Sequence, residues 1–171
     1  MINIPSEWKK IDENNYDKIG IVNNKFIKCV SSYAVQENGV ASVINFFDYS
    51  SYDEEFLDEL GRYYDEINEM NEIIDGDPSD EDYECTAILS SLYHGYINEE
   101  RGLYYLNISK VLVEENGYAY DIQLFNKGNN GIYCFEISVV SLDESDIIKS
   151  VSSIPYFKNA ISCLEYIAGK N

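Results

Sequence analysis

The chain has 171 residues, 45% of them hydrophobic and 14% aromatic with sixteen tyrosines, and its formal charge is −19. That length suits one domain with a real core, and the apolar content excludes a disordered acidic polymer. A negative field of this size repels nucleic acid and anionic membrane surfaces, and it attracts basic partners at rates that fall with salt.

The charge is concentrated. Residues 53 to 84, DEEFLDELGRYYDEINEMNEIIDGDPSDEDYE, hold fifteen acidic side chains against Arg62 alone, a net of −14, and the other 139 positions carry the remaining −5. No basic segment followed by an apolar run opens the chain, and no apolar stretch approaches eighteen residues. Neither a signal peptide nor a spanning helix is therefore expected, and the expected compartment is the cytosol. In that reducing setting Cys29, Cys85, Cys134 and Cys163, each within an apolar or alternating segment, are expected as small core hydrophobes.

In chain order, 18–22 (KIGIV) and 25–35 (KFIKCVSSYAV) read as strands divided by a turn at Asn23 and Asn24. The run 39–49, GVASVINFFDY, alternates imperfectly, which predicts a strand covered on much of both faces and placed near the sheet centre. The period changes at Ser51, where SYDE has the form of a capping box with Ser51 as N-cap and Glu54 at N3. A helix is expected from there, with Phe56, Leu60, Tyr63, Ile67, Met70 and Ile74 as its apolar stripe. Gly76 and Pro78 end it, and 75–84 reads as an acidic loop.

Four strands are expected next, at 84–97, 103–115, 117–125 and 131–142, joined by the hairpin loops NEERG, ENG and NKGNNG into an antiparallel meander. Pro155 opens a second amphipathic helix with Phe157, Ile161, Leu164 and Ala168 on one side, ending at Gly169 and Lys170. The expected fold is a single α+β domain over residues 1–171: an antiparallel sheet of six to seven strands with two main helices packed on it. The other sheet face, near Tyr93, Tyr105, Tyr118, Tyr120 and Tyr133, is expected to be only partly covered.

The opening IPSEWKKI, the strand GVASVINFF running into a helix, the segment NGYAYDIQL and a last helix around FKNAISCLEYI together resemble the PsbP-like α/β-sandwich class over nearly the whole chain. The longer acidic helix and the DGDPSDEDYE loop depart from that pattern. The resemblance implies a fold, and a class that includes chaperone-like, adaptor and accessory proteins; it carries over no catalytic residue.

Catalytic and metal motifs are sparse. His94 is the one histidine, so any Ser-His-Asp or Cys-His arrangement must pass through it, and the expectation is a strand-end side chain. No CxxC, HExxH, GxxxxGK[ST] or GxGxxG occurs. Counted from Asp75, an EF-hand loop would need glycine at Asp80 and a carboxylate at Thr86, and it fails at both. No enzyme, metal or other cofactor is expected.

The expected function is that of an acidic interaction protein, and most concretely an immunity protein or antitoxin that neutralises a basic toxin such as a nuclease. The chain resembles bacterial immunity proteins as a class in size, acidity and lack of catalytic motifs. The expected contacts are Asp58, Glu59, Asp65, Glu66, Glu69, Asp77, Asp80 and Asp82, with Tyr52 and Tyr83 as aromatic company, in a monomer or homodimer. The alternative is a chaperone or adaptor that holds an apolar client segment on the open sheet face. A ligand-binding or enzymatic domain would instead require a deep pocket with perturbed acids.

Overall fold

The computed structural model describes residues 6–37, 40–53, 55–74, 89–99, 102–113, 117–128 and 131–141. Seven strands form one antiparallel sheet in the order β1-β2-β3-β7-β6-β5-β4: β1 Lys9–Lys10, β2 Lys28–Glu37, β3 Val40–Asp48, β4 Leu89–Glu99, β5 Gly102–Val113, β6 Gly117–Gly128 and β7 Gly131–Ser141. Helix α1, Phe56–Ile74, joins β3 to the four-strand meander. The meander is as expected, and β3 has a neighbour on each side, β2 and β7. Among the described residues there is one α-helix, and the expected helix at 155–169 lies outside them.

The N-terminal portion differs from expectation. Residues 18–22 form no strand: Asp17–Ile19 is a 3-10 turn, the Tyr16 carbonyl accepts from the backbone N–H of both Ile19 and Ile21, and Gly20 turns the chain at φ 73°. Asn23 and Asn24 do make a turn, but with their side chains. Asn24 Oδ1 accepts from Phe26 N and Ile27 N at 2.8 and 2.9 Å, and Asn23 Oδ1 accepts from Cys29 N. These bonds replace a hairpin and lead directly into β2.

Alternation along the inner strands gives the sheet two buried faces. On one lie Ile44, Ile137, Ile122, Ile108 and Leu106, all 0–1% exposed, with Trp8, Tyr33, Phe46 and Phe135 in an aromatic row beside them. Each fully buried Ile or Leu contributes about 1.5–3 kcal/mol. On the other face Tyr16, Ile21, Cys29, Phe47, Tyr49, Tyr105, Phe125 and Cys134 form a second cluster, and Leu57 of α1 belongs to it. Cys29 and Cys134 are free thiols and buried, and burial pushes both upward in pKa. The tyrosines expected on an open face divide between the two faces: Tyr120 is buried in the first cluster and Tyr105 in the second, while Tyr133 is exposed.

Helix α1 begins one turn later than the capping box implied. The Ser51 hydroxyl donates to the Phe26 carbonyl, so it is committed to the approach to β2. Asp53 does the capping instead: its carboxylate accepts from Glu55 N, and its carbonyl from Phe56 N. The buried stripe keeps Phe56, Leu60 and Ile67 of the expected one, which face the core, but departs from it at Tyr63 and Met70. Leu57, Tyr64 and Ile67 are buried, whereas Tyr63 is 52% and Met70 45% exposed.

Two contacts explain the departure. Gly61 sits so close over the sheet that an added Cβ would lie 2.9 Å from the Tyr105 hydroxyl, and the Tyr64 hydroxyl reaches Ser109 and Asn107 of β5. The Tyr105 hydroxyl is buried and finds no hydrogen-bond partner among the described residues. Tyr105→Phe is therefore expected to leave stability unchanged or raise it by up to about 1 kcal/mol, because the ring keeps its packing on Tyr96 and Phe125 while a desolvated hydroxyl is removed. A chemical-denaturation midpoint lower than that of the parent would contradict this.

Candidate functional site

Three features hold the polar chemistry: the outer surface of α1, its clamp to the sheet edge, and a polar seam across the sheet.

Asp58 and Asp65 are exposed yet tied to β4. Tyr96 Oη donates to Asp58 at 2.9 Å, and Asp65 lies 2.8 Å from His94 Nε2. Glu59, Glu66 and Glu69 are exposed residues of α1. Glu59, Tyr63, Glu66 and Met70 follow one another at steps of four, three and four, so acidic and apolar side chains alternate along one exposed ridge. Tyr52, 36% exposed, extends this edge, with its ring 4.5 Å from that of Phe56. Of the ten expected contacts, Tyr52, Asp58, Glu59, Asp65, Glu66 and Glu69 thus share one helix and its approach. Asp77, Asp80, Asp82 and Tyr83 lie outside the described residues.

His94 is in the middle of β4, opposite Asn107, and not at a strand end. Its Nδ1 is 3.0 Å from Ser91 Oγ while Nε2 faces Asp65, so a serine, the histidine and an aspartate do meet. The nitrogens are used in the reverse sense from a hydrolase triad, in which the carboxylate meets Nδ1. Ser91 is buried, and its hydroxyl also reaches Asn107 Oδ1 at 3.3 Å. The three groups fasten α1 to β4. Asn68 completes the fastening: its Nδ2 donates to the Ser91 carbonyl and its Oδ1 accepts from Ser91 N, both at 3.0 Å, next to the register shift between Ser91 and Tyr93.

From Ser91 a chain of side chains runs across the sheet on the α1 side. Asn107 Nδ2 donates to Gln123 Oε1 at 3.1 Å, and Gln123 Nε2 to Glu136 Oε2 at 2.7 Å. From the opposite edge Ser32 Oγ donates to Asn45 Oδ1 at 2.7 Å, and Asn45 Nδ2 to Glu136 Oε1 at 3.0 Å. Donors from both directions converge on one carboxylate. Beside it Asp121 accepts from Ser138 Oγ at 2.5 Å. Burial raises the pKa of both acids; the Asp121 charge adds to the rise at Glu136, and the hydrogen bonds each accepts oppose it.

Sequence reasoning missed this seam, although a signal for it exists. Each inner strand carries one or two polar residues bracketed by apolar ones: Asn45 in VINFF, Asn107 in LNIS, Asp121 and Gln123 in YDIQLF, and Glu136 in CFEIS. In strands buried on both faces, such residues need partners across the sheet. The register supplies them by placing Asn45 opposite Glu136, Glu136 opposite Gln123 and Gln123 opposite Asn107.

No helix among the described residues is long and apolar enough to cross a membrane. Compared with known proteins, the chain matches no protein-family model and no curated protein.

Proposed function

We propose that the chain is a protein-binding module whose α1 surface docks a basic partner, and most concretely an immunity protein that neutralises a basic toxin such as a nuclease. The observation that carries this reading is the exposed ridge of Glu59, Tyr63, Glu66 and Met70, with Tyr52 at its N-terminal end. A solvated helix face has no need to expose two tyrosines and a methionine among glutamates. A docking face uses them, because aromatic anchors supply binding energy while the surrounding charges steer the encounter and fix its register. Asp58 and Asp65, already bonded to Tyr96 and His94, serve chiefly to hold the helix on the sheet.

The test uses the product of the adjacent gene as partner, provided that it has a basic C-terminal domain. Association of the two proteins is expected to slow about tenfold or more on charge reversal of Glu59, Glu66 and Glu69 to lysine, and to slow steeply with added salt. Tyr63→Ala is expected to speed dissociation instead. Binding that is indifferent both to salt and to the triple reversal would sink the reading.

A further inference from the structure

Among the described residues, the α1 side of the sheet is unevenly filled. Helix α1 packs against β4, and the turns at Glu13–Asn15 and Asp17–Ile19 precede Ile21, which packs on Phe47 and Tyr49 in the second cluster. Between these coverings the strands carry small side chains, Ala34, Ala41 and Val43, which leave a hollow of about 990 Å³. That volume lies at the upper end of the range for small-molecule sites. Ile19, Ile21, Phe47 and Tyr49 give it apolar sides, the polar Glu7, Lys9 and Gln36 also line it, and its floor holds Asp121 and Glu136 among Asn45, Gln123 and Ser138.

The two carboxylates are what make this hollow selective. Asp121 is opposite Ser138 and Gln123 opposite Glu136, so the two acids are diagonal neighbours on adjacent strands of one face. Burying a carboxylate is costly unless a positive group offsets it, and two side by side cost more. No described lysine or arginine forms an ion pair with either; Lys9, together with Glu7, lines the hollow. Among the described residues no third His, Cys, Asp or Glu joins them in a metal-holding group, and the apolar sides suit carbon better than a hydrated ion.

The geometry points to this hollow as a binding site for a small organic cation, an amine or guanidine with an apolar body, its charge seated between Asp121 and Glu136. Ammonium and guanidinium groups both donate several hydrogen bonds to carboxylates, and each acid here is held in position by neighbouring side chains. A bound cation favours the ionised acids and so opposes the upward push that burial gives both carboxyls. Among the described residues Glu7, Lys9, Cys29, Tyr49, Tyr64 and Cys134 are the other titratable groups around the two acids, and burial pushes the two thiols and the two phenols upward as well.

The experiment is calorimetric titration of the full chain with phenethylamine and benzylguanidine, set against the neutral 2-phenylethanol and the anionic 3-phenylpropionate. Both cations are expected to bind at least tenfold more tightly than 2-phenylethanol. Asp121→Asn and Glu136→Gln are each expected to abolish that preference while melting cooperatively, and the α1 variant Glu59→Gln/Glu66→Gln/Glu69→Gln is expected to keep it. Asp121→Asn stands outside the amide chain, so it carries the test if Glu136→Gln does not fold. Cations that bind no better than 2-phenylethanol, a preference that survives Asp121→Asn, or one lost with the α1 charges would overturn the proposal. Tighter binding of the capped peptide Gly-Arg-Gly than of either small cation would give the site to a protein side chain and overturn it as well.

Discussion

Replacing Asn68 by alanine lowers the unfolding free energy by about 2–4 kcal/mol, because both the carbonyl and the N–H of Ser91 lose their partner at once. The register shift in β4 makes the loss hard to repair. Where one residue is out of step with β5, the backbone groups of Ser91 turn toward the helix, and a primary amide supplies one donor and one acceptor in the required geometry. Aspartate at the same position still accepts from Ser91 N but presents a second oxygen to the Ser91 carbonyl, so it is expected to be no better than alanine. The loss is large against a typical total of 5–15 kcal/mol. Denaturant titration of the three proteins measures it, and an Asn68→Ala midpoint within error of the parent would show that the clamp contributes little. His94→Ala in the same background separates the amide from the Asp65–His94 contact beside it.

The second large effect is an inverted pH dependence. Asp121 and Glu136 have folded pKa values above their ordinary ones, so the folded chain binds protons more tightly than the unfolded chain. Their contribution to stability is fully present below the ordinary carboxylate values and is lost as pH rises through the raised ones. Between that range and neutral pH the melting temperature is therefore expected to rise as the solution is acidified. The asparagine variant of Asp121 keeps the acceptor that Ser138 requires, and it removes both the burial cost and the repulsion on Glu136. At pH 8 it should melt above the parent, and near pH 4 the two should converge. Each kcal/mol gained corresponds to about 2–4 °C in a domain of this size.

Glu136→Gln follows the same rule with one rearrangement. Its new NH₂ meets a donor from either Asn45 or Gln123, and Asn45 can turn over because Ser32 accepts as readily as it donates. Relief of the −19 net charge on acidification acts in the same direction for every variant. The difference between Asp121→Asn and the parent is therefore the informative quantity. Parallel melting curves across pH 4 to 8 would show that Asp121 titrates as an ordinary surface acid.

The amphipathic helix and the meander were legible in the sequence because both are local periodicities. The choice between Tyr63 and Tyr64 was not, since adjacent tyrosines continue a three-and-four pattern equally well. Gly61 over Tyr105 and the bonds from Tyr64 to β5 selected the second, and they turned Tyr63 outward into the ridge on which partner docking is proposed. The capping box failed for a related reason. Ser51 had the right spacing from Glu54, but its hydroxyl was taken by the Phe26 carbonyl, twenty-five residues away in sequence.

What the sequence determined by itself is the alternation: strands with apolar residues on both faces, single polar residues set among them, and one long acidic helix between β3 and β4. Only the tertiary structure decided that those polar residues meet. Asn45 and Glu136 are ninety-one positions apart and become neighbours because β7 closes onto β3, a pairing that no local propensity encodes. The pairing of β6 with β7 brings Asp121 beside Glu136 on the floor of the hollow. Period and composition are written residue by residue, whereas register and strand order follow from how the whole sheet buries its two faces, and the polar chemistry of this protein depends on the latter.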